Sequence, residues 1–374
     1  MKIVINTAQQ RFGGAVQVAL SFIHECIHFP EHEYHVWLGI GVGNNIDSNV
    51  FPNNFHFYHF QFGPIGFREI RKIQKTLRPY ELKIKPDVII STSGPTYYHS
   101  IAPQITGFNL PYHIYPESPF IKELTITKKI KFWLRKQYHY YLFKRDVIAI
   151  LAQTDDVKIR VQRALGIKDV YTVTNNHSHF YSIKRKHFDK KLPEKSQNEF
   201  RWLTLTSYYP HKNLEIIPII ADLLKKNGIT NIKFVLTLTD IEFKTHIGNS
   251  ELILNVGPVS PSECPDLYKE CDGMFLPTLA ECFSASYPES MIMRKPIITT
   301  DFGFSRSICG DAALYYSPKN ELEALDKIQQ VVASKELQQE LVQNGLKELK
   351  KFDTARERAY KYLEICKHYI KLNR

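Results

Sequence analysis

Gly273-Met274-Phe275-Leu276-Pro277-Thr278-Leu279-Ala280-Glu281 runs on through Cys282-Phe283-Ser284-Ala285-Ser286-Tyr287-Pro288 to Glu289. The first four residues read as a buried strand, and Pro277–Ala280 as the loop that ends it. From Ser284 onward the chain reads as the start of a helix. Strand, loop and helix in that order form the unit from which parallel α/β sheets are built. The expected helix, Ser284–Arg294, puts Glu281 on the loop and Glu289 about two turns in, at ~1.5 Å per residue. Between them lie the amides of a helix N-terminus, which favour a phosphate. A sugar joined to a diphosphate has hydroxyls on both sides of a phosphate and suits such a cradle. A bare pair of glutamates at this spacing is more often a solvated helix face, so the neighbours decide.

The same alternation extends along the chain. In the first half Lys2–Ile5, Tyr34–Leu38, Phe55–Tyr58, Asp87–Ile90, Asp146–Leu151 and Val170–Val173 read as strands, with helical patterns at Ala15–His28 and Phe67–Leu77. Ser182–Glu199 is Lys-rich, polar and without apolar periodicity, as a linker would be. A second series follows: strands at Trp202–Thr206, Lys233–Leu238, Leu252–Asn255, Gly273–Leu276, Pro296–Thr299 and Ala313–Tyr316, and helices at Asn213–Lys226, Ser260–Lys269, Ser284–Arg294, Glu321–Ser334, Leu337–Lys350 and Thr354–Ile370. Two α/β halves, 1–180 and 181–352, imply a cleft, with ligands at the carboxyl ends of the strands.

Bulk properties narrow the classes. A chain of 374 residues is long enough for two domains. No apolar run approaches the ~18–20 residues that span a bilayer, and Met1–Asn6 enters a strand without the apolar region of a signal peptide. A cytoplasmic location is expected. Six scattered cysteines with no C-x-x-C pair read as reduced residues. The net charge of +11 points to nucleic acid, an anionic membrane or phosphate-bearing ligands.

Three further stretches sit at strand ends. Gly13-Gly14 opens a helix after the first strand, as a phosphate loop or a plain turn. Tyr208-Tyr209-Pro210-His211-Lys212-Asn213 follows the first strand of the second half. Asn213 would cap the next helix, and Lys212 would be either a point charge for a diphosphate or an ordinary exposed lysine. Asn255–Ser260, with Val259, is a turn whose backbone suits a base edge or nothing at all.

Taken together, these residues resemble the retaining glycosyltransferases of family 4, of GT-B architecture. The resemblance rests on Glu281 and Glu289 as E-x7-E, Lys212, Lys295-Pro296, Gly310–Pro318 and Gly13-Gly14. It implies two Rossmann-like doubly wound domains facing across a cleft, with 353–374 a helix crossing back to the first. It implies that Lys212 binds the donor diphosphate, Glu281 the transferred sugar and Glu289 the ribose, and that amides of Phe283, Ser284 and Ala285 meet the phosphate. The implied activity is metal-independent, hexosyltransferase-type transfer with retention. The donor is a nucleotide-diphosphate sugar and the acceptor a saccharide or lipid-linked sugar, as in O-antigen or capsule assembly. No cofactor is expected, and the absence of D-x-D fits a reaction without metal. Three positions depart from the pattern: Ser207 replaces an arginine whose charge His211 would supply in part, Ser284 replaces glycine, and Asn175-Asn176-His177 replaces Pro-Asn-Gly. A sugar-nucleotide epimerase and an inert sugar-nucleotide-binding protein are the alternatives.

On the acceptor side, His113 and Glu117 lie in Pro111–Ser118, after a strand. His113 is the candidate that reaches the sugar, as the resemblance implies, or else a structural histidine; His99 is a weaker candidate. Residues 122–145 interleave Lys and Arg with Phe132, Trp133, Tyr138, Tyr140, Tyr141 and Phe143. That pattern suits a peripheral helix on an anionic membrane, such as the inner face of the plasma membrane, or a core-packed helix with a charged outer face. No motif supports nucleic acid.

Overall fold

The computed structural model describes residues 1–11, 13–183 and 190–372, with only the backbone of Phe67. Phe12 of the first glycine loop and 184–189 of the expected linker lie outside the described residues. The chain divides into two compact units. One comprises Met1–Ile114, Thr125–Asn175 and Asp353–Arg374; the other comprises Tyr115–Leu124 and Asn176–Phe352. Tyr115–Leu124 therefore groups with the second unit, although it falls inside the 1–180 stretch.

The first unit holds a seven-stranded parallel sheet. Its strands are β1 (Lys2–Asn6), β2 (Glu33–Leu38), β3 (Phe55–His59), β4 (Val88–Gly94), β5 (Gln104–Phe108), β6 (Ala149–Ala152) and β7 (Val170–Thr172). They lie in the order β3-β2-β1-β4-β5-β6-β7. The inner parallel strands are covered on both faces, hence their near-continuous apolar runs, while the edge strand β3 is partly exposed. The helix Ala355–Leu372 belongs to this unit. It buries Ala359, Tyr362, Leu363 and Cys366 against Phe22, Ile23 and Cys26, with the Phe22 and Tyr362 rings 5.2 Å apart and edge-on. The fold class is thus two doubly wound α/β units with the last helix returned to the first.

The second unit holds β8 (Phe200–Thr204), β9 (Ile232–Leu236), β10 (Ile253–Asn255), β11 (Gly273–Leu276), β12 (Ile297–Thr300) and β13 (Ala313–Tyr316). They pair in parallel in the order β10-β9-β8-β11-β12-β13. The order reverses between β8 and β11, and such a switch point opens a crevice at the carboxyl ends of those two strands. Gly273, at the head of β11, has a steric purpose: a Cβ there would come within 2.5 Å of the buried Trp202 ring on β8. The two central strands therefore close on each other only with glycine at this position.

Several boundaries differ from expectation. Asp146 ends the helix Ile126–Asp146 rather than starting a strand; β6 begins at Ala149. The helix expected to stop at Leu77 runs from Phe67 to Ile84 through Pro79. β5 carries Gly107, which reads poorly as strand; its close approach to β4 explains it, since a Cβ would lie 2.1 Å from the Thr92 carbonyl oxygen. The short helices Asp240–His246 and Gly303–Cys309 were not expected.

Candidate active site

The loops after β8 and β11 meet at the switch point. From the first, the short 3₁₀ turn Pro210–Lys212 presents Lys212; from the second comes Glu281. The Lys212 ammonium pairs with Glu281 Oε1, and both side chains are nearly buried. Thr278 donates to the same carboxylate oxygen at 3.1 Å. Backbone bonds fix the two loops together: the Leu279 amide donates to the His211 carbonyl at 2.7 Å, and Thr300 of β12 donates to the Thr278 carbonyl. Tyr115–Leu124 adds Ser118, which is buried and donates to the Leu279 carbonyl at 2.8 Å. Charged hydrogen bonds in such shielded surroundings are the strong kind. The arrangement holds a cation and an anion ready, each neutralising the other.

His211 is not the extra cation that the sequence suggested. Its ring is buried beside Phe120 and Tyr209. Burial pushes its pKa down to about 4, against the pull of Glu281 and with the push of Lys212. It is neutral near pH 7. Asn213 does not cap the next helix either. It has φ 54° and ends the 3₁₀ turn, and the helix starts later, at Ile216, after Glu215. Ser207 is exposed on the loop after β8.

The helix after Glu281 spans Ser286–Ile292, shorter than expected, so Glu289 lies in its first turn rather than two turns in. Tyr287 and Glu289 return their amides to the carbonyls of Ser284 and Ala285 at 3.3 and 3.0 Å. The amides of Phe283, Ser284 and Ala285 thus precede the helix's own ladder. The Phe283 ring is committed to Phe352 at 6.0 Å, Ser284 is buried and Ala285 is exposed. Ser286 donates to the Leu205 carbonyl at 3.4 Å, and the Tyr287 and Thr299 hydroxyls pair at 2.8 Å, seating the helix on β8 and β12.

Glu289 is half-buried beside Tyr181, Tyr268 and Cys264. Burial pushes its carboxyl up to about 7, with Tyr181 pulling the other way. Burial and then the Glu289 charge push the Cys264 thiol up to about 12. Val259 packs on the apolar cluster of Leu267 and Tyr268, so its side chain is structural. Thr278, Ser118 and Tyr181 carried no sequence signal. Thr278 and Ser118 reach the Glu281 loop through the fold, and Tyr181 stands at the edge of the expected linker.

In the first unit, Gly13 and Gly14 open the helix Gly14–Glu25. Gly13 has φ 76°, which calls for glycine; a Cβ on either residue would meet nothing within 4 Å. His113 lies inside this unit. It is 1% exposed, its Nε2 lies 3.0 Å from His139 Nδ1, and Tyr140 donates to its carbonyl at 2.6 Å. Burial, His139, Arg135 and Lys136 push its pKa down to about 3. It is a neutral interior residue of this unit, packed on Phe132. His99 instead reaches Asp146, at 3.0 Å. Glu117 is half-buried in the segment that joins the second unit.

The helix Ile126–Asp146 has two faces. His139, Tyr140, Leu142 and Phe143 are buried, while Ile126, Ile130, Trp133, Leu134, Tyr138 and Tyr141 form an exposed stripe, Trp133 at 56%. Among the described residues no helix is long and apolar enough to cross a membrane.

Residues 185–348 match the family model described as Glycosyl transferases group 1. This stretch carries β8 to β13 and every charged residue of the switch-point site. No curated protein matches the sequence. Solved structures match nearly the whole chain. A glycosyltransferase from Rickettsia africae aligns at 15% identity and a TM-score of 0.71, covering 99% of this chain and 98% of that one. Sucrose-phosphate synthase from Thermosynechococcus elongatus aligns at 11% and 0.73, covering 99% of each. Anabaena HepE, crystallised with UDP and glucose, aligns at 13% and 0.67, covering 98% of this chain and 100% of that one. At such identities the likeness establishes the fold, the two-domain GT-B architecture.

Proposed function

We propose that the chain transfers a hexose, with retention of configuration, from a nucleotide-diphosphate sugar to a saccharide or lipid-linked acceptor in surface-polysaccharide assembly. The observation that carries this reading is the shielded Lys212–Glu281 pair at the β8/β11 switch point, with Glu289 in the same strand-loop-helix unit as Glu281. A diphosphate arriving there takes the Lys212 ammonium as its counter-ion and leaves Glu281 to accept hydrogen bonds from sugar hydroxyls. Glu289, once ionised, accepts two hydrogen bonds from the ribose diol. Lys212 and the amides of residues 283–285 hold the charge that grows on the leaving diphosphate, the preorganised stabilisation that lowers such barriers. HepE, crystallised with UDP and glucose on the same fold, supports a donor of this class.

A thermal-shift panel of UDP-, GDP-, ADP- and TDP-sugars tests donor binding, because a ligand of the folded state raises the melting temperature. A shift with one nucleotide class, followed by anomeric assignment of the product, is the expected result. No shift with any of them would favour an inert protein.

The exposed stripe of Ile126–Asp146, flanked by Lys128, Lys129 and Lys131, supports a peripheral seat on an anionic membrane, where a lipid-linked acceptor would lie. Co-sedimentation with anionic liposomes is expected and should be lost in Trp133→Asp. Equal binding by that variant would count against the helix.

A further inference from the structure

Far along the first sheet from β4, the outer strands β2 and β3 carry a second chemical cluster. Glu33 and His35 are two apart on β2 and so share a face of the sheet; His56 on β3 is the register partner of His35. Their side chains converge. His35 Nε2 lies 2.8 Å from Glu33 Oε1, His56 Nε2 lies 3.8 Å from the same oxygen, and the three atoms are all within 4.8 Å of one another. The two rings are 4.8 Å apart. In a tetrahedral zinc site with bonds of about 2.0–2.1 Å, neighbouring ligand atoms stand about 3.3 Å apart. Rotamer shifts of an ångström or so would bring the three there.

Two contacts outside the triangle prepare it. His35 Nδ1 is held by the Tyr58 hydroxyl at 3.0 Å, so Nε2 is the nitrogen turned towards Glu33. An outer hydrogen bond of this sort fixes a metal-binding imidazole. Glu33 Oε2 faces Lys2 at 3.7 Å, leaving Oε1 for the imidazoles. The His35 ring is nearly buried, whereas Glu33 and His56 are open to solvent, which gives an ion a way in. In the metal-free chain His35 Nε2–H donates to Glu33 Oε1; with the ring proton moved to Nδ1 and donated to the Tyr58 hydroxyl, Nε2 would offer its lone pair to a divalent cation beside Glu33 Oε1 and the His56 nitrogen.

We propose that Glu33, His35 and His56 form a zinc-type divalent cation site that ties β2 to β3. It has three protein ligands and room for a water as the fourth. It makes no demand on the sugar-transfer reading, since none of its residues belongs to the switch-point site.

The test uses the full chain without a polyhistidine tag, stripped with chelator and titrated with Zn²⁺. Wild type should bind one equivalent more than His56→Gln or Glu33→Gln. Both substitutions are at solvent-exposed positions, which keeps the fold intact. Zn²⁺ should raise the melting temperature of wild type and not of the variants. Co²⁺ in its place should give wild type the visible bands of a tetrahedral N/O site, absent from His56→Gln. Equal stoichiometry and equal thermal shifts in all three proteins would overturn the proposal and leave the cluster as hydrogen-bonded surface side chains.

Discussion

After β1 and β4 the first sheet offers Gly13, Gly14 and the amide side chain of Gln10, which donates to Thr92 at 3.2 Å. After β8 and β11 the second sheet offers Lys212, Thr278 and Glu281. The backbone device is the same in both: a parallel sheet whose strand order reverses beside its first strand. What the loops carry differs. The first set shapes a surface and supplies a helix start. The second holds a charge pair shielded from water, where an electrostatic interaction gains strength from the low local dielectric. Two histidines extend the comparison. His113 and His211 are both buried and neutral, and His211 also accepts the Leu279 amide through its carbonyl.

That contrast is open to direct attack. The largest effect is expected from Lys212→Ala: kcat/KM for transfer should fall by about 10²–10³, the range seen when one preorganised charge-stabilising donor is lost. A loss confined to the acceptor KM would move the site elsewhere.

Glu289→Gln should come next. Hydrogen bonds to a charged group are worth roughly 1.5–3 kcal/mol, so donor affinity at pH 8 should drop by about 10- to 100-fold. The pH dependence carries a sign. The folded carboxyl holds its proton up to about 7, above its ordinary value of 4.5. If Glu289 binds the donor as proposed, its carboxylate appears as pH rises through about 7, and wild-type affinity should climb over that interval while the variant stays flat. Stability of the free protein runs the other way. The unfolded chain releases this proton first, so the Glu289 contribution falls as pH rises from 4.5 to about 7, and Glu289→Gln should remove that slope.

The smallest catalytic effect is expected at His113. His113→Gln should leave kcat within about threefold while lowering stability by about 1–3 kcal/mol, because the buried His139 loses its fitted ring partner while the Tyr140 bond to the backbone carbonyl is kept. A large fall in kcat with unchanged stability would return His113 to the chemistry.

The sequence made the sheets legible because buried parallel strands are short apolar runs bounded by turn residues, as at Gly273–Leu276. It made the Glu281–Glu289 spacing legible for the same reason: strand, loop and helix follow without a gap. It misread what depends on tertiary contact. Gly107 hides a strand because β4 lies too close for a side chain. His211 looks cationic until the fold buries it beside Phe120, which comes from a segment some ninety residues earlier. Thr278 and Ser118 are ordinary hydroxyl residues whose partners appear only when two loops and a distant turn meet. Trp133 and its neighbours showed aromatic and basic residues together, but which of them face outward is a property of the packed helix.

The proposed reading assigns the transfer to the charge pair in the second unit and not to the histidines. Side-by-side turnover of wild type and Glu281→Gln, with the nucleotide sugar that gives the thermal shift, tests it most directly. The account predicts that the variant keeps its fold and still binds the free nucleoside diphosphate, but loses sugar transfer by at least about 10²-fold. Transfer at the wild-type rate without that carboxylate would contradict it.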